Sequence, residues 1–159
     1  MKLTFLGTRG CVEAHSPRHP RHSGLLLEQG AFRVLIDCGA DWTDELGNLN
    51  PQAILLTHAH PDHAEGLREG APCPVYATAS TWRVIDGMPI GERCTVTAGD
   101  PFFLGGMAIE AFVVEHSLRA PAVGYRVGVG RASLVYVPDV AALPDPVGGV
   151  LWYGVDDTY

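Results

Sequence analysis

Residues 53–63, read as Ala53-Ile54-Leu55-Leu56-Thr57-His58-Ala59-His60-Pro61-Asp62-His63, decide how the rest of the chain is interpreted. The first five residues are a short, mainly apolar run, the pattern of a strand covered on both faces. The next six place four metal-binding side chains in quick succession. His58 and His60, two apart in an extended segment, point to the same side and can grip one ion. Asp62 and His63 fall in the first turn of a helix whose entry Pro61 fixes, so they are free to serve a second ion beside it. Imidazole nitrogen combined with carboxylate suits zinc, with iron or manganese as substitutes.

Working outward, other apolar runs end in the same way. Val34-Leu35-Ile36 leads into Asp37, Phe112-Val113-Val114-Glu115 into His116, and Leu134-Val135-Tyr136-Val137-Pro138 into Asp139. Loops at strand ends in layered sheets converge over a rigid base, which is where ligands bind. His116 is the candidate to complete the first ion's set, and the Asp139 carboxylate, with two oxygens, can bridge both ions. Asp37 is expected to brace the cluster by hydrogen bonding rather than to ligate. Asp62 is placed to orient a nucleophile or shuttle a proton as well as to ligate. A basic patch, Arg9, Arg18, His19, Arg21 and His22, offers Arg21 and His22 as contacts for an anionic substrate.

Strands are expected at Lys2–Leu6, Ser23–Glu28, Phe32–Ile36, Ala53–Thr57, Val75–Ala77, Cys94–Thr97, Met107–Glu115, Ala122–Val129 and Ser133–Val137, with a last one at Val150–Gly154. Gln29-Gly30 joins a hairpin. Short helices are expected from Asp62 to Gly70 and from Ser80 to Asp86, with Ser80 available as N-cap. Sparse, short helices among many strands give an α/β (α+β layer) fold class, with residues 1–159 as one domain.

Thr57-His58-Ala59-His60-Pro61-Asp62-His63-Ala64-Glu65-Gly66 resembles the HxHxDH signature of the metallo-β-lactamase superfamily. Residues 1–10 (MKLTFLGTRG) and 34–39 (VLIDCG) resemble its first strands, especially in the ribonuclease Z-like and cyclic-phosphate phosphodiesterase-like branches. The resemblance implies an αβ/βα sandwich, two zinc ions and a bridging hydroxide that acts as nucleophile. It also implies that His58, His60 and His116 hold one ion, Asp62 and His63 the other, and that Asp139 bridges. The family's site is usually closed by a further histidine beyond the bridging aspartate, and no histidine follows His116 here. The sandwich is therefore expected to be incomplete at its C-terminal end, exposing an apolar face that favours homo-oligomers.

Composition sets the remaining limits. Apolar residues make up 47% of the 159 and charged residues 18%, a globular balance. No apolar stretch nears the roughly 18 residues that cross a bilayer. Nor does residues 1–10 look like a signal peptide, so a cytoplasmic location without membrane partners is expected. The net charge of -7 argues against loose attraction to nucleic acid. Two Zn²⁺ against Asp62, Asp139 and one hydroxide leave the site itself positive, favouring an anionic small molecule or an RNA-like phosphodiester. The functional expectation is a zinc-dependent phosphodiesterase or nuclease-like hydrolase. The alternatives are a thioester or lactam hydrolase of the same fold, and a non-catalytic metal-binding fragment acting through association. Cys11, Cys38, Cys73 and Cys94 are expected to be buried free thiols. Trp42, Trp82 and Trp152 are expected in the core or at its rim.

Overall fold

Runs of apolar residues with period two, broken by glycine turns, form two sheets in the computed structural model, which describes residues 1–12, 16–116 and 121–141. The first sheet has the order β1 (Lys2–Gly7), β2 (Gly24–Gln29), β3 (Phe32–Ile36), β4 (Ala53–Leu55), β5 (Val75–Thr78), β6 (Arg93–Val96). Its first three strands are antiparallel and β3 to β6 run parallel. The second sheet, β7 (Phe102–Leu104), β8 (Met107–Val114), β9 (Ala122–Val129) and β10 (Ala132–Tyr136), is antiparallel in the order β10-β9-β8-β7. Gln29 pairs with Phe32 across a two-residue turn, and Gly30 there has φ 59°, a conformation that favours glycine.

Alternation along the strands explains the layers. Leu25, Leu27, Val34, Ile36, Ala53 and Leu55 face Met107, Ile109, Ala111, Val123, Tyr125 and Val127 of the second sheet. Their neighbours Leu26, Leu35, Ile54 and Leu56 point the other way, onto Trp42, Leu46, Ala64, Leu67 and Trp82 of the helical cover. Strands β2 to β4 are thus buried on both faces, which is why their sequences read as continuous apolar runs. That cover is made of α1 (Leu46–Leu49), α2 (Pro61–Ala64), α3 (Ala79–Val84) and 3₁₀ turns at Ala40–Trp42 and Glu65–Leu67.

Several local expectations are corrected. The helix after His60 is a single α-turn that tightens into 3₁₀ at Glu65, where the Gly66 N–H turns to the Cys38 carbonyl at 2.9 Å. Thr78, not Ser80, caps α3, its hydroxyl accepting from the Thr81 N–H at 3.2 Å. Strand β7, helix α1 and the turn at Ala40–Trp42 were not anticipated, being three or four residues each. Of the cysteines only Cys38 is buried; Cys11 is exposed and Cys73 and Cys94 are half-buried. Trp42 and Trp82 are in the core as expected; the expected strand at Val150–Gly154 and Trp152 lie outside the described residues. No helix among those described is long and apolar enough to cross a membrane.

Two contacts clamp the sheets together beside the end of β4. The Val123 N–H donates to the Thr57 carbonyl at 3.0 Å, and the buried Tyr125 hydroxyl donates to the Leu56 carbonyl at 2.9 Å. Replacing Tyr125 by Phe keeps the ring but removes this bond. The expected result is a loss of about 1–2 kcal/mol in urea unfolding with an unchanged m-value.

Candidate metal centre

Parallel pairing puts the ends of β3 and β4 on one edge of the first sheet, so Asp37 and His58 emerge side by side; the Asp37 N–H still donates to the Leu55 carbonyl at 2.9 Å. In the second sheet β8 and β10 both run opposite to β9, so His116 and Asp139 leave from its same edge. The four strand-end residues and the His60–His63 turn therefore meet. His58, His60, His116 and Asp139 offer ligand atoms all within 4.8 Å of one another, and so do Asp62, His63 and Asp139. Asp139 belongs to both sets.

The distances suit a metal. His60 Nδ1 lies 3.0 Å from His58 Nε2 and 3.1 Å from His116 Nε2. Asp139 Oδ2 is 3.5 Å from His58 Nε2 and 2.9 Å from His63 Nε2, which is 3.2 Å from Asp62 Oδ2. Ligand atoms about 2.0–2.1 Å from a tetrahedral zinc stand ~3.3 Å from one another. Among the described residues Asp62 Oδ1, on a side chain only 2% exposed, lacks a hydrogen-bond partner, and the fully buried His63 Nε2, if it carries no proton, faces the carboxylate oxygens of Asp62 and Asp139 with a lone pair. Buried polar atoms left unpaired need an explanation; a cation supplies one. The donors present therefore fit one or two divalent ions.

Asp37 sets the imidazoles up for this. Fully buried, it accepts from the Thr57 N–H at 2.8 Å, from the Thr57 hydroxyl at 2.9 Å and from His63 Nδ1 at 2.8 Å. With the hydroxyl proton directed at Asp37, Thr57 Oγ1 accepts from His58 Nδ1 at 3.0 Å. Both rings then carry their proton on Nδ1 and turn the Nε2 lone pair into the pocket. Burial pushes His58 down to about 4, keeping it neutral despite Asp139. Burial would likewise lower His63, but Asp37, Asp139 and Asp62 outweigh it and raise that ring well above the usual range. Burial would raise Asp139 and Asp62, yet hydrogen bonds with the histidines hold both below the usual carboxylate range. The carboxylates around His63 thus call for positive charge between them, either a proton on His63 Nε2 or a metal ion in its place.

Backbone strain and close packing hold these groups. Asp37 and Asp139 sit at φ 61° and 36°, in the left-handed region that non-glycine residues avoid at a cost of about 1–3 kcal/mol. Gly39 lies between the first turn of α2 and His22, whose backbone forms an isolated bridge with Arg9. A Cβ there would meet the Asp62 carbonyl at 2.2 Å and His22 Cβ at 2.4 Å, so only glycine lets the two segments close.

The two basic contacts read from the sequence stand differently. His22 bonds Asp41, ring Nδ1 to Oδ2 at 2.9 Å, and Asp41 also takes the guanidinium of the buried Arg9. Arg21 places its guanidinium 4.7 Å over the Trp42 ring and 3.7 Å from Glu45. Neither is among the described residues lining the pocket, a cavity of about 270 Å³ bounded by Cys11, Val12, His60, Asp62, His116, Asp139, Val140 and Ala141. Cys11, Val12 and the Val140-Ala141 pair were missed in the sequence reading, which weighed only polar residues of those loops. Replacing Asp37 by Ala leaves Thr57 and His63 Nδ1 unpaired. The expected result is a 10–100-fold loss of zinc affinity in chelator competition, with the cluster ligands themselves intact.

Comparisons with known proteins place this geometry. The family model described as a beta-lactamase superfamily domain matches residues 32–156. The chain is 32% identical over 156 residues to ribonuclease Z from Methanopyrus kandleri, covering 85% of this chain and 54% of that protein. It spans about half the length of the curated relatives it matches. Among solved structures, a diphosphatase of the PhnP family superposes with a TM-score of 0.69 at 23% identity, covering 90% of this chain and 67% of that one. The short form of human tRNase Z gives 0.65 at 20%, covering 91% and 71%; likeness at these identities concerns the fold. The chain belongs to the beta-lactamase superfamily domain family and has the metallo-β-lactamase fold.

Proposed function

We propose that this chain carries the site of a binuclear, zinc-dependent hydrolase acting on phosphodiesters, nuclease-like in its chemistry. The observation that carries the reading is the Asp139 carboxylate, common to a three-histidine set and to the Asp62–His63 pair. On this reading His58, His60 and His116 would hold one ion and Asp62 and His63 the other, with the Asp139 carboxylate available to both sets. Zinc supplies Lewis acidity and lowers the pKa of water to about 7, so that a hydrolytic nucleophile exists at neutral pH.

This chain's own residues contribute the rest. Two Zn²⁺ against the carboxylates of Asp62 and Asp139 leave the pocket positive, which draws an anionic diester into it. Asp62, buried beside the cluster, would hold its ion through one carboxylate oxygen and could orient the nucleophile or take its proton with the other. Asp37 and Thr57 keep the rings of His58 and His63 from turning. The ribonuclease Z name of the Methanopyrus kandleri relative supports a phosphodiester, and within that class an RNA.

The test is hydrolysis of bis(p-nitrophenyl) phosphate by the zinc-loaded chain. His58→Ala and Asp139→Ala are each expected to lower kcat/KM by about 10³ or more, which is about 4 kcal/mol of transition-state stabilisation. Chelation is expected to abolish turnover and zinc to restore it. Hydrolysis that survives either substitution or the chelator would falsify the proposal.

A further inference from the structure

Among the described residues that bound the metal pocket, five carry a group able to ligate a metal: His60, Asp62, His116, Asp139 and Cys11. The first four belong to the gathered donor sets, and Cys11 belongs to neither. The two sets are unequal. His58, His60, His116 and Asp139 offer four donors, the number that fills a tetrahedral zinc site, whereas Asp62, His63 and Asp139 offer three. The second set thus leaves a position that a further donor from the pocket wall can take.

The wall at Cys11 is held in place by a buried neighbour. Arg9, only 5% exposed, donates its N–H to the Arg21 carbonyl at 2.8 Å, pairs with Asp41, and donates from Nη1 to the Val12 carbonyl at 3.1 Å. On the other side of the cysteine, the Gly10 carbonyl accepts from the Val12 N–H at 2.8 Å. Cys11 is exposed between these anchors, on the wall that it shares with Asp62. An independent observation marks a cation beside it: the Asp62 side chain is 2% exposed, and its Oδ1 has no hydrogen-bond partner among the described residues. Cys38, Cys73 and Cys94 do not line this pocket.

We infer that Cys11 supplies a sulfur donor to the ion of the Asp62–His63–Asp139 set. This assignment rests on the binuclear reading of the pocket. The sulfur stands outside the donors that already lie within 4.8 Å of one another, so ligation draws it inward from the wall as the ion enters. The thiolate is the ligating form, and its proton passes to solvent. Sulfur is a soft donor beside the hard oxygens of Asp62 and Asp139. The second site therefore prefers zinc or cadmium to manganese, as a site of oxygen and imidazole alone does not.

Cobalt substitution tests this without reference to turnover, because a cobalt–thiolate bond gives an intense near-ultraviolet charge-transfer absorption that imidazole and carboxylate ligands lack. The 159-residue chain saturated with Co²⁺ is expected to show that band. Cys11→Ser, a change at an exposed position checked for an unchanged Tm, is expected to lose it, while Cys73→Ser keeps it. Competition titration is expected to show Cd²⁺ affinity falling in Cys11→Ser by at least about tenfold, the cost of removing even an outer-shell partner of a metal. Cobalt bound without the band, or a band that persists in Cys11→Ser, would overturn the sulfur assignment, and hydrolysis of bis(p-nitrophenyl) phosphate then reports on the hydrolase reading separately. A chain that binds no cobalt would overturn both.

Discussion

Three carboxylates, Asp37, Asp62 and Asp139, lie within 3.2 Å of the nitrogens of one fully buried imidazole, His63. Burying one unpaired charge is costly, and burying three of one sign together is prohibitive unless positive charge is present among them. A proton on His63 Nε2 can meet that demand without a metal, and a divalent cation between His63, Asp62 and Asp139 can take the place of that proton. The same ion would satisfy the side chains of two of the three buried atoms left without a partner among the described residues, those of Asp62 and His63. Among the described residues the pocket thus gathers more negative charge than its side chains neutralise.

The fold concentrates those groups by bringing four strand ends to one place. Parallel pairing of β3 and β4 aligns Asp37 with His58, and the antiparallel second sheet sends His116 and Asp139 off the same edge. The sheets are locked beside that edge by the bonds from Val123 to Thr57 and from Tyr125 to Leu56. Two of the converging residues, Asp37 and Asp139, hold left-handed backbone conformations, and the surrounding hydrogen bonds sustain them. Stability is spent here on geometry, as functional sites commonly require.

Much of this was legible in the residues because two periodicities are strong. The continuous apolar run at Ala53–Thr57 identified a strand buried on both faces, and polar residues at the ends of several runs marked the edge where the candidate site lies. Asp37 was readable as a brace because its run ends in a carboxylate beside the cluster, and the structure gives it the Thr57 and His63 bonds. What sequence could not show was pairing at a distance. His22 and Arg9 meet Asp41 across a loop, and Arg21 lies on Trp42, so basic residues that looked free are engaged with partners 19 to 32 positions away. Cys11 looked like an ordinary buried thiol and is instead an exposed wall of the pocket, a matter of loop path rather than residue type. Short elements such as β7 and α1 escaped because three or four residues carry too little periodicity to register.

Metal content after equilibrium dialysis addresses the central claim most directly. The 159-residue chain dialysed against excess zinc and then against metal-free buffer is expected to retain two zinc ions per chain, and Asp62→Ala, which touches only one ligand set, to retain one. A chain that keeps no zinc, or one whose content is the same with and without Asp62, would contradict the account.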